Sequence, residues 1–193
     1  GLIAGRMTET NKVGFIGGME SPVISKFDYG FRAGVKAANP DAEVMVQYAN
    51  SFTDSALGKT IANQMHSKNA DIIFTCAGAV GIGAIEAAKE NGKKAIGVDQ
   101  DQNSLAPENV ITSAMKNIDV SVEEMLSKVV DGSYKGGEII VNTLAMNGVG
   151  IPQSSEKNVP PDVLEYVAKE AEKVKSGEVK VPATKEEFEQ LNK

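Results

Sequence analysis

The run Lys12-Val13-Gly14-Phe15-Ile16-Gly17-Gly18 and the periodic stretch after it decide the fold. The run is apolar, too short for a helix, and closed by a glycine pair, which suits a buried strand ending in a tight turn. Residues 22–39 then bring Val23, Phe27, Phe31, Ala33, Gly34, Val35 and Ala38 round at about 3.6-residue spacing, which predicts an amphipathic helix. Asn39-Pro40-Asp41 stops it. A strand followed by a covering helix is half of a parallel βαβ unit.

The same unit recurs down the chain. Glu43–Tyr48 reads as a strand, and Thr53-Asp54-Ser55 caps a helix carrying Leu57, Ile61, Ala62 and Met65. Ala70–Thr75 is a third strand, followed by Cys76-Ala77-Gly78 and a helix through Ile82, Ile85, Ala87 and Ala88. Ala95–Asp99 and Val110–Ala114 are the fourth and fifth strands, and residues 119–131 the next helix. The strands are apolar throughout rather than alternating, as a sheet covered on both faces requires. The expected fold is doubly wound α/β, a parallel sheet with helices on both sides. Beyond it, 136–144 reads as a strand, 147–152 as a loop, 160–176 as a helix, 179–182 as extended and 185–193 as a final helix.

At 193 residues, with 41% hydrophobic and 24% charged residues, the chain has the composition of an ordinary folded domain and can bury a sizeable core. No run of 18 apolar residues is present. The formal charge is −6, and Arg6 and Arg32 are the only arginines, which argues against a surface that tracks nucleic-acid phosphates. One cysteine, Cys76, and one histidine, His66, make a zinc site or a Cys-His nucleophile pair unsuitable readings. Cys76 is expected as a small buried hydrophobe and His66 on the surface.

Open parallel sheets bind ligands beyond the carboxyl ends of their strands. That rule selects Gly17–Glu20, Ala49–Phe52, Cys76–Ala79, Asp99–Asp101 and Ala114–Asn117 as segments of one rim. Phe52 offers a ring for stacking, Asp99 a carboxylate for hydroxyls, Lys116 a cation, and Gly78 a backbone that a ligand can approach. This is chemistry for an uncharged polar ring compound such as a nucleoside or a sugar. The plainer readings are a Phe52 that covers the sheet edge, an Asp99 that caps a turn, a solvated Lys116, and a Phe27–Phe31 stripe that is core. The Gly78–Gly83 stretch is G-x-x-G-x-G, not the dinucleotide order G-x-G-x-x-G, although Asp99 stands where a ribose-binding acid would. Gly58-Lys59-Thr60 lacks the earlier glycine of a phosphate loop, since Thr53 occupies that place.

Several of these strings together resemble the basic membrane protein family. They are Phe15-Ile16-Gly17-Gly18-Met19, Phe27-x-x-Gly30-Phe31-x-x-Gly34-Val35, Ser51-Phe52-x-Asp54, Ala77-Gly78-x-x-Gly81-x-Gly83, Ile96-Gly97-Val98-Asp99-Gln100-Asp101-Gln102 and Thr112-Ser113-x-x-Lys116-Asn117. The likeness runs from residue 1 to about 182. The family comprises substrate-binding lipoproteins of ABC importers, with purine nucleoside receptors as the characterised type. It implies two α/β lobes joined by a hinge, similar to type I periplasmic binding proteins, and no enzymatic step and no cofactor. It implies that Phe52 stacks a base, Gly78 gives a backbone contact, Asp99 meets the ribose and Lys116 lies near the cleft floor, with Phe27 a weaker candidate. The implied partners are a small ligand, nucleoside by type, and ABC permease subunits. The implied location is the extracytoplasmic face of the cell membrane, reached through a lipid anchor on the full-length protein.

Two departures follow from the same comparison. Family chains are longer at the front, and the lipid-bearing cysteine is missing here. The opening Gly1-Leu2-Ile3-Ala4-Gly5 therefore reads as the end of a helix from a first lobe. The expected division is a ligand-binding lobe over 1–132, and over 133–193 a crossover segment with C-terminal helices that would pack toward that first lobe. Two rivals stand beside the importer reading. One is the effector-binding domain of a transcription regulator; the other is a nicotinamide-dependent enzyme built on Gly78–Gly83 and Asp99.

Overall fold

The computed structural model describes residues 1–191 of the chain. Five parallel strands form the sheet: β1 (Lys12–Gly17), β2 (Glu43–Tyr48), β3 (Ile72–Cys76), β4 (Lys94–Asp99) and β5 (Val110–Lys116). A two-residue strand, β6 (Val149–Gly150), adds to β5 in the antiparallel sense. The spatial order is β2-β1-β3-β4-β5-β6. Helices α1 (Leu2–Met7), α2 (Pro22–Ala38), α3 (Ser55–Ser67), α4 (Ala79–Glu90), α5 (Ile118–Val130), α6 (Pro161–Lys175) and α7 (Lys185–Leu191) complete the described residues.

Successive side chains of β1 point to opposite faces, and both faces are buried. Val13 and Phe15 join a core with Ile3, Phe31, Phe74, Ile96 and Val163, under α1, α2 and α6. Ile16 joins the other core with Ile61, Met65, Ile73 and Val80, under α3 and α4. Local chemistry sets the helix ends. The Ser21 hydroxyl accepts from the Ile24 amide at 3.3 Å with Pro22 opening α2, and the Asp54 carboxylate accepts from the Leu57 amide at 2.9 Å at the start of α3. Helices α3 and α4 touch backbone to backbone. A Cβ on Gly58 would lie 1.9 Å from the Val80 carbonyl oxygen, and one on Gly83 1.9 Å from that of Ser55. Of the glycines in the near-dinucleotide motif, Gly83 thus serves the packing of α4 on α3 and Gly81 the packing of α4 on β3, against Thr75.

The five parallel strands and the helices on both faces lie where the sequence puts them. Elsewhere the structure corrects the reading. The buried stripe of α2 is Ile24, Asp28, Phe31 and Val35, a slight rotation from the expected one, which leaves Val23 exposed and Phe27 half-buried. His66 is buried at 8% exposure, not on the surface, because its ring folds under the turn after α3, with Nδ1 2.9 Å from the Ala70 carbonyl oxygen. Residues 136–144 form no strand. A strand needs a free sheet edge, and the edge of β5 is taken by β6, which itself lies inside the expected loop. Ile139 stays 94% exposed in consequence. The final helix ends at Leu191, and the rest of the expected 185–193 span lies outside the described residues. Residues 153–175 pack back on the sheet: the Thr112 and Ser155 hydroxyls meet at 2.8 Å, and Val159 and Val163 enter the α2-side core.

Candidate functional site

Backbone bonds tie together the ends of β1, β2 and β3 and the start of α4. The Gly18 amide donates to the Cys76 carbonyl oxygen at 3.0 Å, Asn50 N–H to that of Gly18 at 3.0 Å, and Ala79 N–H to that of Phe52 at 2.8 Å. Asn50, Gly78 and Asp99 all sit on left-handed backbone, with φ of 53°, 58° and 68°. Non-glycine residues take that conformation seldom, and Asn and Asp more readily than others. Residues in such conformations cluster at functional sites.

Gly18 and Gly78 make room for Phe52. A Cβ on Gly18 would stand 2.0 Å from a carbon of the Phe52 ring, and one on Gly78 2.8 Å from the Phe52 carbonyl oxygen. The half-buried ring therefore lies over the end of β1 and beside the first turn of α4. Across the rim, Lys116 Nζ is 2.9 Å from Asp99 Oδ1 and 5.0 Å from the centre of the Phe27 ring. Phe27 in turn leans on Phe74, ring centres 6.2 Å apart. The Lys116 and Asp99 side chains are 35% and 57% exposed, so the pair adds at most about 1 kcal/mol to stability. Its groups remain available to a ligand.

Strand β3 joins the two clusters. Cys76, its last residue, stands two positions before Gly78. Burial first, then the negative charge of Asp99, pushes the Cys76 thiol up to about 12, with Lys116 opposing. A thiol reagent is therefore expected to leave Cys76 unlabelled in the folded protein and to label it only after denaturation; rapid labelling of the native protein would contradict this placement. Phe52 with Gly78, and Asp99 with Lys116 and Phe27, thus share the rim.

One pair beneath the rim escaped the sequence reading. Tyr48, at the end of β2, donates its hydroxyl to Asp28 Oδ2 at 3.1 Å, and Arg32 Nη1 is 3.8 Å from Oδ1. Asp28 is only 3% exposed. The signal was available: Asp28 stands at a stripe position between Ile24 and Phe31. Burial raises its carboxyl above the ordinary range, against the lowering pull of Arg32 and of the Tyr48 hydrogen bond. Folding thus favours the protonated form, a contribution complete below the unfolded-state pKa of about 3.9 and lost as pH rises through the folded value. Asp28→Asn is expected to gain stability relative to the parent as pH rises from about 4 to neutrality. Urea unfolding at a series of pH values checks this; a variant equally destabilised at every pH would refute it.

Among the described residues no cluster of three or more His, Cys, Asp or Glu side chains could hold a metal ion. No helix among them is long and apolar enough to cross a membrane.

The charge pair, the aromatic ring and the left-handed turns thus lie together at the carboxyl ends of the parallel strands of an α/β lobe. The family model described as ABC transporter substrate-binding protein PnrA-like matches residues 1–185, and the chain belongs to that family of binding proteins. It is 39% identical to basic membrane protein B of Borreliella burgdorferi, over 98% of this chain and 54% of the relative. Among solved structures it is similar to an ABC transporter solute-binding protein from Aeropyrum pernix K1, with a TM-score of 0.83 and 24% identity over 99% of this chain and 66% of that one. It is also similar to one from Conexibacter woesei, with a TM-score of 0.78 and 27% identity over 94% of this chain and 60% of that one. The chain spans about half the length of the curated relatives it matches.

Proposed function

We propose that this chain supplies one lobe of an extracytoplasmic receptor that binds a purine nucleoside and delivers it to ABC permease subunits, with no chemical step. Phe52 stacks the base, Asp99 accepts from the ribose hydroxyls, Lys116 donates beside it, Gly78 gives a backbone contact, and Phe27 supports the lysine. The observation that carries this reading is the meeting of Asp99, Lys116 and Phe27 at one end of a sheet whose other rim segment presents Phe52. A second lobe closes over the ligand, and the ligand's greater affinity for the closed state drives closure. In the proposed division, residues 1–132 form the binding lobe and the segment from 133 crosses toward the first lobe, before residues 153–175 return to this sheet. Residues 133–146 suit such a role, because none of their side chains is buried and Ile139 and Val141 are exposed. Lipid anchorage of the full-length protein would hold the receptor at the membrane face.

Titration of the two-lobed protein with adenosine, guanosine and the free bases tests the stacking role. Phe52→Ala is expected to weaken all of them, by about 1–3 kcal/mol or roughly 5- to 100-fold. Unchanged purine affinity would remove Phe52 from the site.

A further inference from the structure

A cavity of about 610 Å³ lies beside the rim but is distinct from it: Phe52, Gly78, Asp99 and Lys116 do not line it, and Phe27 and Ala114 border both. It runs along α2 from Lys26 to Ala37, a helical rise of about 16 Å. Phe31 and Phe74 form one wall, Val167 and Val174 of α6 another, and Val181 and Phe188 the roof. Its volume is in the range of small-molecule sites, about 300–1,000 Å³. The hydroxyls that reach its floor are engaged: Thr112 with Ser155 at 2.8 Å, and Ser113 accepting the Gln102 amide at 3.1 Å. Such a lining cannot orient a polar ring. A long apolar channel suits an extended hydrocarbon chain.

Three of the four charged side chains at its border are lysines. Lys26, Lys36 and Lys180 stand against Glu170, which is already held by Lys173 at 2.7 Å. Lys180 is paired with Glu187 at 3.0 Å, and Lys36 donates to the Pro40 carbonyl oxygen. Among the described residues, Lys26 forms no ion pair. Gly30, one turn beyond Lys26, faces Val181, which closes the roof over that end of the channel. The roof is held by surface contacts rather than by burial: Phe188 stacks on Tyr29 at 5.7 Å and lies 4.3 Å from the Arg32 guanidinium, while α7 has no buried residue. Its tether follows Gly177, on left-handed backbone with φ of 80°.

We propose that this cavity binds a single-chain amphiphile of the fatty-acid class, its tail along α2 and its carboxylate at Lys26. The site is separate from the rim and stands whether or not the rim binds nucleosides. Calorimetric titration of the chain with dodecanoate, kept below its micelle concentration, is the test. One saturable site is expected, with dodecyltrimethylammonium bound at least about fivefold more weakly and Lys26→Glu removing that preference. Ala33→Trp, which fills the channel, should abolish binding, and excess adenosine should not compete. Lys26→Glu lies on the solvated face of α2 and keeps the test decisive if Ala33→Trp fails to fold. Absent or non-saturable binding, equal affinity for the cationic chain, or full competition by adenosine would overturn the proposal.

Discussion

Replacing Asp99 by Asn or Ala in the two-lobed protein is expected to weaken nucleosides about 10- to 100-fold while changing free bases little. Asp99 occupies φ of 68°, a conformation that Asn shares at little cost and that Ala resists. Asp99→Asn therefore removes the charge while keeping the turn, and Asp99→Ala removes both. The ion pair with Lys116 is exposed enough that its loss leaves the fold intact. In the proposed site, what disappears is the charged acceptor for ribose hydroxyls, a hydrogen bond worth about 1.5–3 kcal/mol once closure has desolvated it. A free base lacks those hydroxyls and should be nearly indifferent. Equal losses for nucleoside and base would place the ribose elsewhere.

Phe15→Ala is expected to cost about 3–5 kcal/mol of stability, a large share of the 5–15 kcal/mol typical of a folded domain. Phe15 is fully buried in the middle of β1, flanked in register by Val46 and Phe74. Its ring centre is 5.6 Å from that of Phe74 and 6.2 Å from those of Phe31 and Tyr48. Truncation leaves a cavity between the sheet and α2 that four rigid elements cannot collapse into. Phe27→Ala, at a half-buried position on α2 facing the same core, should cost clearly less. The urea midpoint of each variant, at unchanged slope, reads the difference directly. A Phe15→Ala shift below about 1 kcal/mol would mean that this core is not what holds α2 to the sheet.

The parallel sheet was legible because a strand buried on both faces has no polar alternation, and each strand here is closed by a turn residue. The rim was legible for the same reason: once the strands are known, topology places Gly18, Phe52, Gly78, Asp99 and Lys116 at one end. The contact between Lys116 and Phe27 was not legible, because it depends on how α2 is rotated about its axis. Ile24, Asp28, Phe31 and Val35 turned inward, and Phe27 was left tilted toward the rim. The chain from 118 to 146 was legible least. Its Val122, Leu126, Ile139 and Val141 carry the apolar signal of core elements, yet they remain exposed. Periodicity reports that a face is apolar; it does not report what covers that face.

A crystal structure of the two-lobed protein grown with guanosine tests most directly whether the rim grips a polar cyclic molecule without transforming it. The expected result is an intact nucleoside, its base against the Phe52 ring and its ribose hydroxyls within hydrogen-bond distance of Asp99. A nucleoside bound away from these residues, a cleaved one, or an empty rim at saturating guanosine would contradict it.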